Sequence, residues 1–85
     1  MKSVALEAIA KPEEVRGVLD QLLPGQREPW LLLTKKGDLI AYLHLETDGS
    51  SIQADISGRH YNEEDAVTGV LSHIAAVVGG RIEHD

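Results

Sequence analysis

The chain contains no cysteine and no phenylalanine, and its large aromatic residues are one tryptophan and two tyrosines. Without cysteine, disulfides, thiolate metal sites and cysteine nucleophiles are excluded. The four histidines are not spaced as metal ligands, and there is neither a glycine-rich phosphate loop nor the motif that surrounds a hydrolase serine. We therefore predict that the protein binds no metal or cofactor and is not an enzyme.

Basic residues are also scarce, because eight Lys and Arg stand against fourteen Asp and Glu and leave a net charge of -6. Positions 43–85 contain only two of the basic residues but eight of the acidic ones. Nucleic-acid binding requires clustered positive charge, so we predict no nucleic-acid partner. The excess of acid is an ordinary source of solubility and is also able to steer a basic partner.

No apolar run is long enough to cross a membrane, and the stretch that begins at Met1 is too short and too polar for a signal peptide. We therefore predict a cytoplasmic protein with no membrane partner. The hydrophobic share of 42% and the charged share of 26% are typical of soluble globular chains, and 85 residues suit one small domain over 1–85.

Alternating apolar residues predict four strands, and apolar residues spaced three and four apart predict two helices. The strands are predicted at 3–9, 30–34, 39–46 and 52–57, and the helices at 12–23 and 63–78. Pro12 suits the first turn of the first helix, and Asn62 is predicted to cap the second. Gly79 and Gly80 are predicted to end that helix, and 81–85 to be a flexible tail.

The predicted order is β-α-β-β-β-α, and both helices need one apolar surface against which to bury their apolar sides. The fold class that follows is α+β, with a four-stranded, mainly antiparallel sheet and both helices on one face. The last three strands form a meander with turns at 35–38 and 48–49. The first strand lies parallel either to the second strand or to the fourth, and the sequence does not choose between these positions.

The two strands that flank the first turn are apolar on both faces, whereas the uncovered face of a sheet is usually polar. A hairpin that pairs Leu33 with Leu39 places five residues together on the uncovered face. These are Trp30, Leu32, Ile40, Tyr42 and His44. Such an apolar aromatic patch is typical of an interaction surface, so we predict a protein-protein interaction module that uses it either to form a homodimer or to bind another protein in a small complex. The alternative is that loops or the end of the chain cover the patch.

A second candidate surface is acidic. Glu63, Glu64 and Asp65 lie together in the first turn of the second predicted helix. They form a candidate docking surface for a basic protein. The structural alternative is that they stabilise the start of the helix, whose dipole favours negative charge.

An alternative function is a small-ligand binder or weak enzyme with a site near His44, Asp55 and His60. The turn at 48–49 brings His44 opposite either Gln53 or Asp55, and a His–Asp pair is able to act as an acid-base couple. Such a couple needs a pocket and a third group, and the sequence shows neither. We therefore favour the interaction module.

Overall fold

The computed structural model describes residues 2–23 and 30–84, and within them it confirms an α+β architecture with one sheet and two α-helices. The strands are β1 (Lys2–Glu7), β2 (Trp30–Leu33), β3 (Leu39–Leu45), β4 (Ile52–Ile56) and β5 (Arg81–His84). The helices are α1 (Pro12–Leu22) and α2 (Glu64–Val78), and a short 3₁₀ helix over Gly58–Glu63 leads into α2. No helix in the described ranges has the length and apolar character needed to cross a bilayer.

The sheet of the described residues has five strands in the order β2-β3-β4-β1-β5, and all neighbours are antiparallel. The predicted four-stranded sheet is therefore wrong by one strand. β1 lies beside β4 but antiparallel to it, so neither predicted parallel arrangement is correct. The additional strand is β5, which occupies positions where the sequence predicts a flexible tail; Asp85 lies outside the described residues.

Two glycines explain how the chain returns to the sheet after α2. Gly79 and Gly80 have φ angles of 80° and 117°, a backbone region that residues with a Cβ rarely adopt. A Cβ at Gly80 would lie 2.8 Å from the backbone oxygen of Glu7, so the close approach to β1 requires glycine. The pair ends the helix, as predicted, and also directs the following residues alongside β1.

The two helices differ in how well their starts can be predicted. Pro12 begins α1, as expected from its fixed φ and missing N–H. Asn62 does not cap α2, which begins at Glu64 without a side-chain cap. Asn62 lies instead within the 3₁₀ helix, whose tighter turn begins where the His60 N–H donates to the Ser57 carbonyl at 2.9 Å. The predicted N-cap is therefore wrong, because this turn comes first.

One apolar core fills the space between the sheet and both helices. Strand residues that point to the helix-covered face are buried, and they alternate with more exposed residues on the other face. The largest fully buried side chains are Trp30, Leu6, Leu19, Leu43, Ile52, Ile56, Leu71, Ile74, Val4, Val15, Val67 and Val78. Both helices therefore lie on one face of the sheet, and the described residues leave the other face, here called the open face, uncovered.

An irregularity between β2 and β3 decides which residues lie on the open face. Leu33 pairs with Leu39, as predicted, but the register shifts between Leu32 and Leu33, so that Leu32 pairs with Ala41 and Trp30 with Leu43. A shift of one residue turns every side chain of a strand to the opposite face. Trp30 and Leu32 consequently pack into the core, and their predicted position on the uncovered face is wrong.

Trp30 is held in the core by α1. Its ring is completely buried, and its indole N–H donates to the Asp20 carboxylate at 2.9 Å. The Arg16 guanidinium lies 5.4 Å from the ring centroid, one helical turn before Asp20. The polar edge of α1 thus satisfies the only polar group of the indole, which allows so large a side chain to be buried.

Candidate functional site

The centre of the open face is formed by β3 and β4. Tyr42 pairs with Leu31 on one side and with Asp55 on the other, and His44 pairs with Gln53. Tyr42 is 42% exposed. This part of the sheet therefore combines an aromatic ring with polar side chains.

Three of these side chains contact one another, with Asp55 between the other two. The Asp55 carboxylate lies 3.3 Å from Nε2 of His44 through one oxygen, and it accepts from Nε2 of Gln53 at 2.9 Å through the other. Each oxygen has two lone pairs, so each is able to accept one further donor. Gln53 directly faces His44, which resolves the alternative left open by the sequence in favour of Gln53. The arrangement orients Asp55 on the open face.

A shallow cleft lies beside Asp55, next to the 3₁₀ helix. Its volume is about 310 Å³, and it is lined by Tyr42, Asp55, Ile56, Ser57, Gly58 and Tyr61. The two tyrosines are 42% and 40% exposed, and the Asp55 side chain is 23% exposed. Two aromatic rings and a partly buried carboxylate therefore share one recess, which we name the tyrosine cleft. Sequence reasoning missed Tyr61; an aromatic residue within an otherwise polar loop is the signal that identifies it.

The five residues predicted to form an apolar patch do not lie together on the surface. Trp30 and Leu32 face the core, and Ile40 is only 5% exposed because it joins the core where the β2–β3 register shifts. Tyr42 and His44 do lie on the open face, with ring centroids 6.5 Å apart. The continuous apolar patch is therefore absent from the described surface, and the remaining pair is aromatic and polar.

The trio suggested for a ligand site is also divided. His44 and Asp55 are in contact, but Nδ1 of His60 lies 2.5 Å from the Glu63 carboxylate. His60 lines a different cleft, together with Asp38 and Arg59. The structure therefore joins the predicted His–Asp pair and separates it from His60.

The acidic candidates make contacts within the chain. Glu63 contacts His60, and the Glu64 carboxylate lies 2.6 Å from Nζ of Lys2 and 2.7 Å from Nδ1 of His84. The hydrogen bond from Lys2, followed by that from His84, lowers the pKa of Glu64. Asp65 is exposed. A docking role for the three acids remains a prediction, but two of them already link the start of α2 to neighbouring groups.

Another recess lies where β1, the β3–β4 turn and β5 meet. It has a volume of about 860 Å³ and is lined by Glu7, Ala8, Glu46, Thr47, Asp48, Ser50, Ser51 and Arg81. The Asp48 carboxylate accepts the Ser50 N–H at 2.9 Å, and hydrogen bonds from Ser50 lower the Asp48 pKa. Within the described part of the chain, no three potential ligands are grouped closely enough to hold a metal ion.

Comparison with known proteins adds no functional assignment. The sequence matches no protein-family model, and neither a curated protein nor a solved structure is significantly similar to it.

Proposed function

We propose that this chain is a non-enzymatic protein-interaction module that binds a basic segment of a partner protein on the open face of its sheet. An arginine or lysine side chain of the partner enters the tyrosine cleft and contacts Asp55. The observation that carries the proposal is the shared recess of Tyr42, Tyr61 and a partly buried Asp55.

The residue types in the cleft suit a cation. The face of a tyrosine ring attracts a guanidinium or ammonium group, and a carboxylate forms short, charge-assisted hydrogen bonds with either one. His44 and Gln53 each occupy one side of Asp55, but the carboxylate retains free lone pairs. A cation in the cleft therefore gains the charge of Asp55 without displacing its present partners.

The charge of the whole chain supports the same class of partner. A net charge of -6 attracts basic segments from a distance and raises the association rate at low salt. Long-range attraction is nonspecific, whereas the tyrosine cleft gives the interaction a defined position. Binding should accordingly depend on both salt and the side chains of the cleft.

The test is an NMR titration with pentapeptides Gly-Gly-Xaa-Gly-Gly, in which Xaa is Arg, Lys or Leu. We expect the Arg and Lys peptides to shift resonances of Tyr42, Asp55 and Tyr61, and the Leu peptide to shift none of them. Asp55→Asn should weaken Arg-peptide binding by about tenfold, which corresponds to about 1.4 kcal/mol.

The matched control is Asp65→Asn, because it removes the same charge from an exposed site on α2. Its affinity for the Arg peptide should remain within a factor of about two of the wild-type value, as expected for a screened, distant charge. Equal weakening by the two substitutions, or shifts spread evenly over the acidic surface, would show that the cleft is not the binding site.

A further inference from the structure

β5 forms one edge of the sheet, and its pairing leaves one side of its backbone without a neighbouring strand among the described residues. An edge strand presents N–H and C=O groups that are able to pair with another chain. Only four residues form this strand, from Arg81 to His84, so the register of any additional strand is set by very few side chains.

The hydrogen bonds of the sheet determine which backbone groups face outward. The Glu46 N–H donates to the Ser51 carbonyl at 2.9 Å, and the Ser57 N–H donates to the Ile40 carbonyl at 2.8 Å. The odd-numbered residues from 51 to 57 therefore direct their backbone N–H and C=O groups towards β3. In antiparallel sheets the direction alternates at each residue. Through the pairing of β4 with β1 and of β1 with β5, the same alternation directs the N–H and C=O of Ile82 away from the sheet.

The side chains of β5 are complementary to themselves in one register. An antiparallel pair related by a two-fold axis at Ile82 sets Arg81 opposite Glu83 of the partner subunit, and the reverse pair forms by symmetry. Opposite charges in directly facing positions stabilise strand pairing, whereas like charges oppose it. An axis at Arg81 or at Glu83 would bring identical charges face to face, so these two neighbouring registers are disfavoured.

The surroundings of Ile82 fit the same arrangement. Ile82 is partly buried and packs against the core, so the two Ile82 side chains would extend the apolar layer across the axis. α2 reaches this edge of the sheet, because its first residue, Glu64, contacts His84 of β5.

We propose that a second copy of this chain pairs with β5 in antiparallel orientation, with Ile82 facing Ile82 of the partner subunit. The two sheets then form one continuous sheet, and the helices of both copies cover the same face. Arg81 and Glu83 form the charged part of the interface. Their side chains are 68% and 53% exposed, and Nε of Arg81 lies 3.6 Å from a carboxylate oxygen of Glu83 in the same chain. This interface goes beyond the proposed function, because the tyrosine cleft plays no part in it.

The test is a charge exchange, with mass measured by size-exclusion chromatography and light scattering over a range of protein concentrations. We expect the wild-type protein to reach twice the chain mass of 9.2 kDa. Arg81→Glu and Glu83→Arg should each raise the dimer dissociation constant at least tenfold, and the double exchange should restore it to within about threefold. The single variants change net charge in opposite directions, so overall repulsion cannot explain weakening by both.

Circular dichroism checks that each variant folds. A wild-type protein that remains monomeric at millimolar concentration, or single variants that dimerise as the wild type does, would overturn the proposal, as would a folded double variant that remains dissociated. Asp55→Asn should leave the dimer unchanged, which separates a failure of this interface from a failure of the tyrosine cleft.

A crosslink gives an independent measure of the register. Arg81 and Glu83 of the partner subunit flank the hydrogen-bonded Ile82 pair, so they form non-hydrogen-bonded pairs, in which facing Cβ atoms are close enough for a disulfide. The chain has no cysteine of its own. Oxidation of the Arg81→Cys, Glu83→Cys double variant should give a covalent dimer, and Gln21→Cys, exposed on α1, should give much less. Equal crosslinking of the two would contradict the register.

Discussion

The indole N–H of Trp30 donates to the Asp20 carboxylate at 2.9 Å and thereby joins the edge strand β2 to α1 across ten residues. The ring of Trp30 is fully buried, so the hydrogen bond satisfies a donor that has left water. The register shift between β2 and β3 turns Trp30 to the helix-covered face. The hydrogen bond to Asp20 therefore stabilises the ring in a position that the strand pairing sets.

Removal of this acceptor should destabilise the fold. Asp20→Ala leaves the indole N–H without its partner, and the expected loss in the free energy of unfolding is about 1–3 kcal/mol. Alanine is the better helix former, so helix propensity alone would act in the opposite direction. The measurement is urea unfolding followed by the fluorescence of Trp30, the one tryptophan of the chain.

The control for this prediction is Gln21→Ala, the adjacent exposed position of α1. A surface change of this kind should alter the free energy of unfolding by no more than about 0.5 kcal/mol. If both substitutions have the same effect, the Asp20–Trp30 hydrogen bond contributes nothing measurable to stability.

The sequence predicts the elements with strong local signals. Pro12 marks the start of α1, and alternating residues identify β3 and β4. Gly37 occupies its turn with a φ of 93°, as a tight hairpin requires. These features depend on residues close together in the chain, so periodicity and turn chemistry are sufficient to find them.

Contacts between residues that are distant in the sequence explain why the predicted face of Trp30 and the predicted number of strands are wrong. The register shift at Leu32 and Leu33 adds one residue to the pairing, and no turn signal marks it. On the helix-covered face the indole of Trp30 donates to Asp20, a partner that a periodic pattern does not reveal. β5 has only four residues. Its position depends on the close approach of Gly80 to Glu7, two residues that are far apart in the sequence.

The same distinction applies to the candidate site. Tyr42, His44 and Asp55 belong to neighbouring strands, and their proximity follows from the predicted meander. Tyr61 comes from the 3₁₀ helix, and the recess it forms with Tyr42 depends on how that helix lies against the sheet. The contact between His44 and Asp55 was therefore partly predictable, whereas the tyrosine cleft required the three-dimensional structure.

Acid should weaken the fold through Glu64. Its hydrogen bond with Lys2, and then that with His84, lowers its pKa in the folded state below the ordinary value of 4.5. The resulting stabilisation is present above that value and is lost as the pH falls through the lower folded pKa. Urea midpoints measured between pH 2 and 7 should therefore decline at the acid end, and Glu64→Gln should show a smaller decline.

Asp65→Asn is the matched control for the acid response, because Asp65 is the next residue of α2 and is exposed. Its pH profile should follow that of the wild-type protein. A decline in Glu64→Gln that equals the wild-type decline would show that the Lys2 and His84 contacts do not couple stability to pH.

Two glycines of the C-terminal half should respond to alanine in opposite ways. At Gly80, with a φ of 117°, an added Cβ would meet the Glu7 oxygen at 2.8 Å, whereas at Gly69 it meets nothing within 4 Å. Gly80→Ala should lower the free energy of unfolding by about 2 kcal/mol, and Gly69→Ala should raise it by about 0.4–1 kcal/mol through better helix propensity. Thermal unfolding of both variants measures the difference, and changes of the same sign would contradict it.

Two threonines provide the same kind of comparison for hydroxyl groups without and with hydrogen-bond partners. Oγ1 of Thr68 is buried in α2 and has no hydrogen-bond partner in the described structure. Oγ1 of Thr34 accepts the N–H groups of Lys36 and Asp38 at 3.2 and 3.0 Å, in the turn between β2 and β3. Valine keeps the branched shape of threonine but removes the hydroxyl. Thr68→Val should therefore raise the free energy of unfolding by about 1 kcal/mol, because it removes an unpaired polar group from the interior.

Thr34→Val should lower the free energy of unfolding by about 0.5–1.5 kcal/mol, because the turn loses the acceptor of two backbone N–H groups. Urea unfolding of both variants at one protein concentration gives the two values under identical conditions. Opposite signs would show that the same chemical change acts through the hydrogen-bonding state of each hydroxyl. Destabilisation by Thr68→Val would instead mean that the Thr68 hydroxyl has a partner, and the backbone of the preceding turn of α2 is where that acceptor should then be sought.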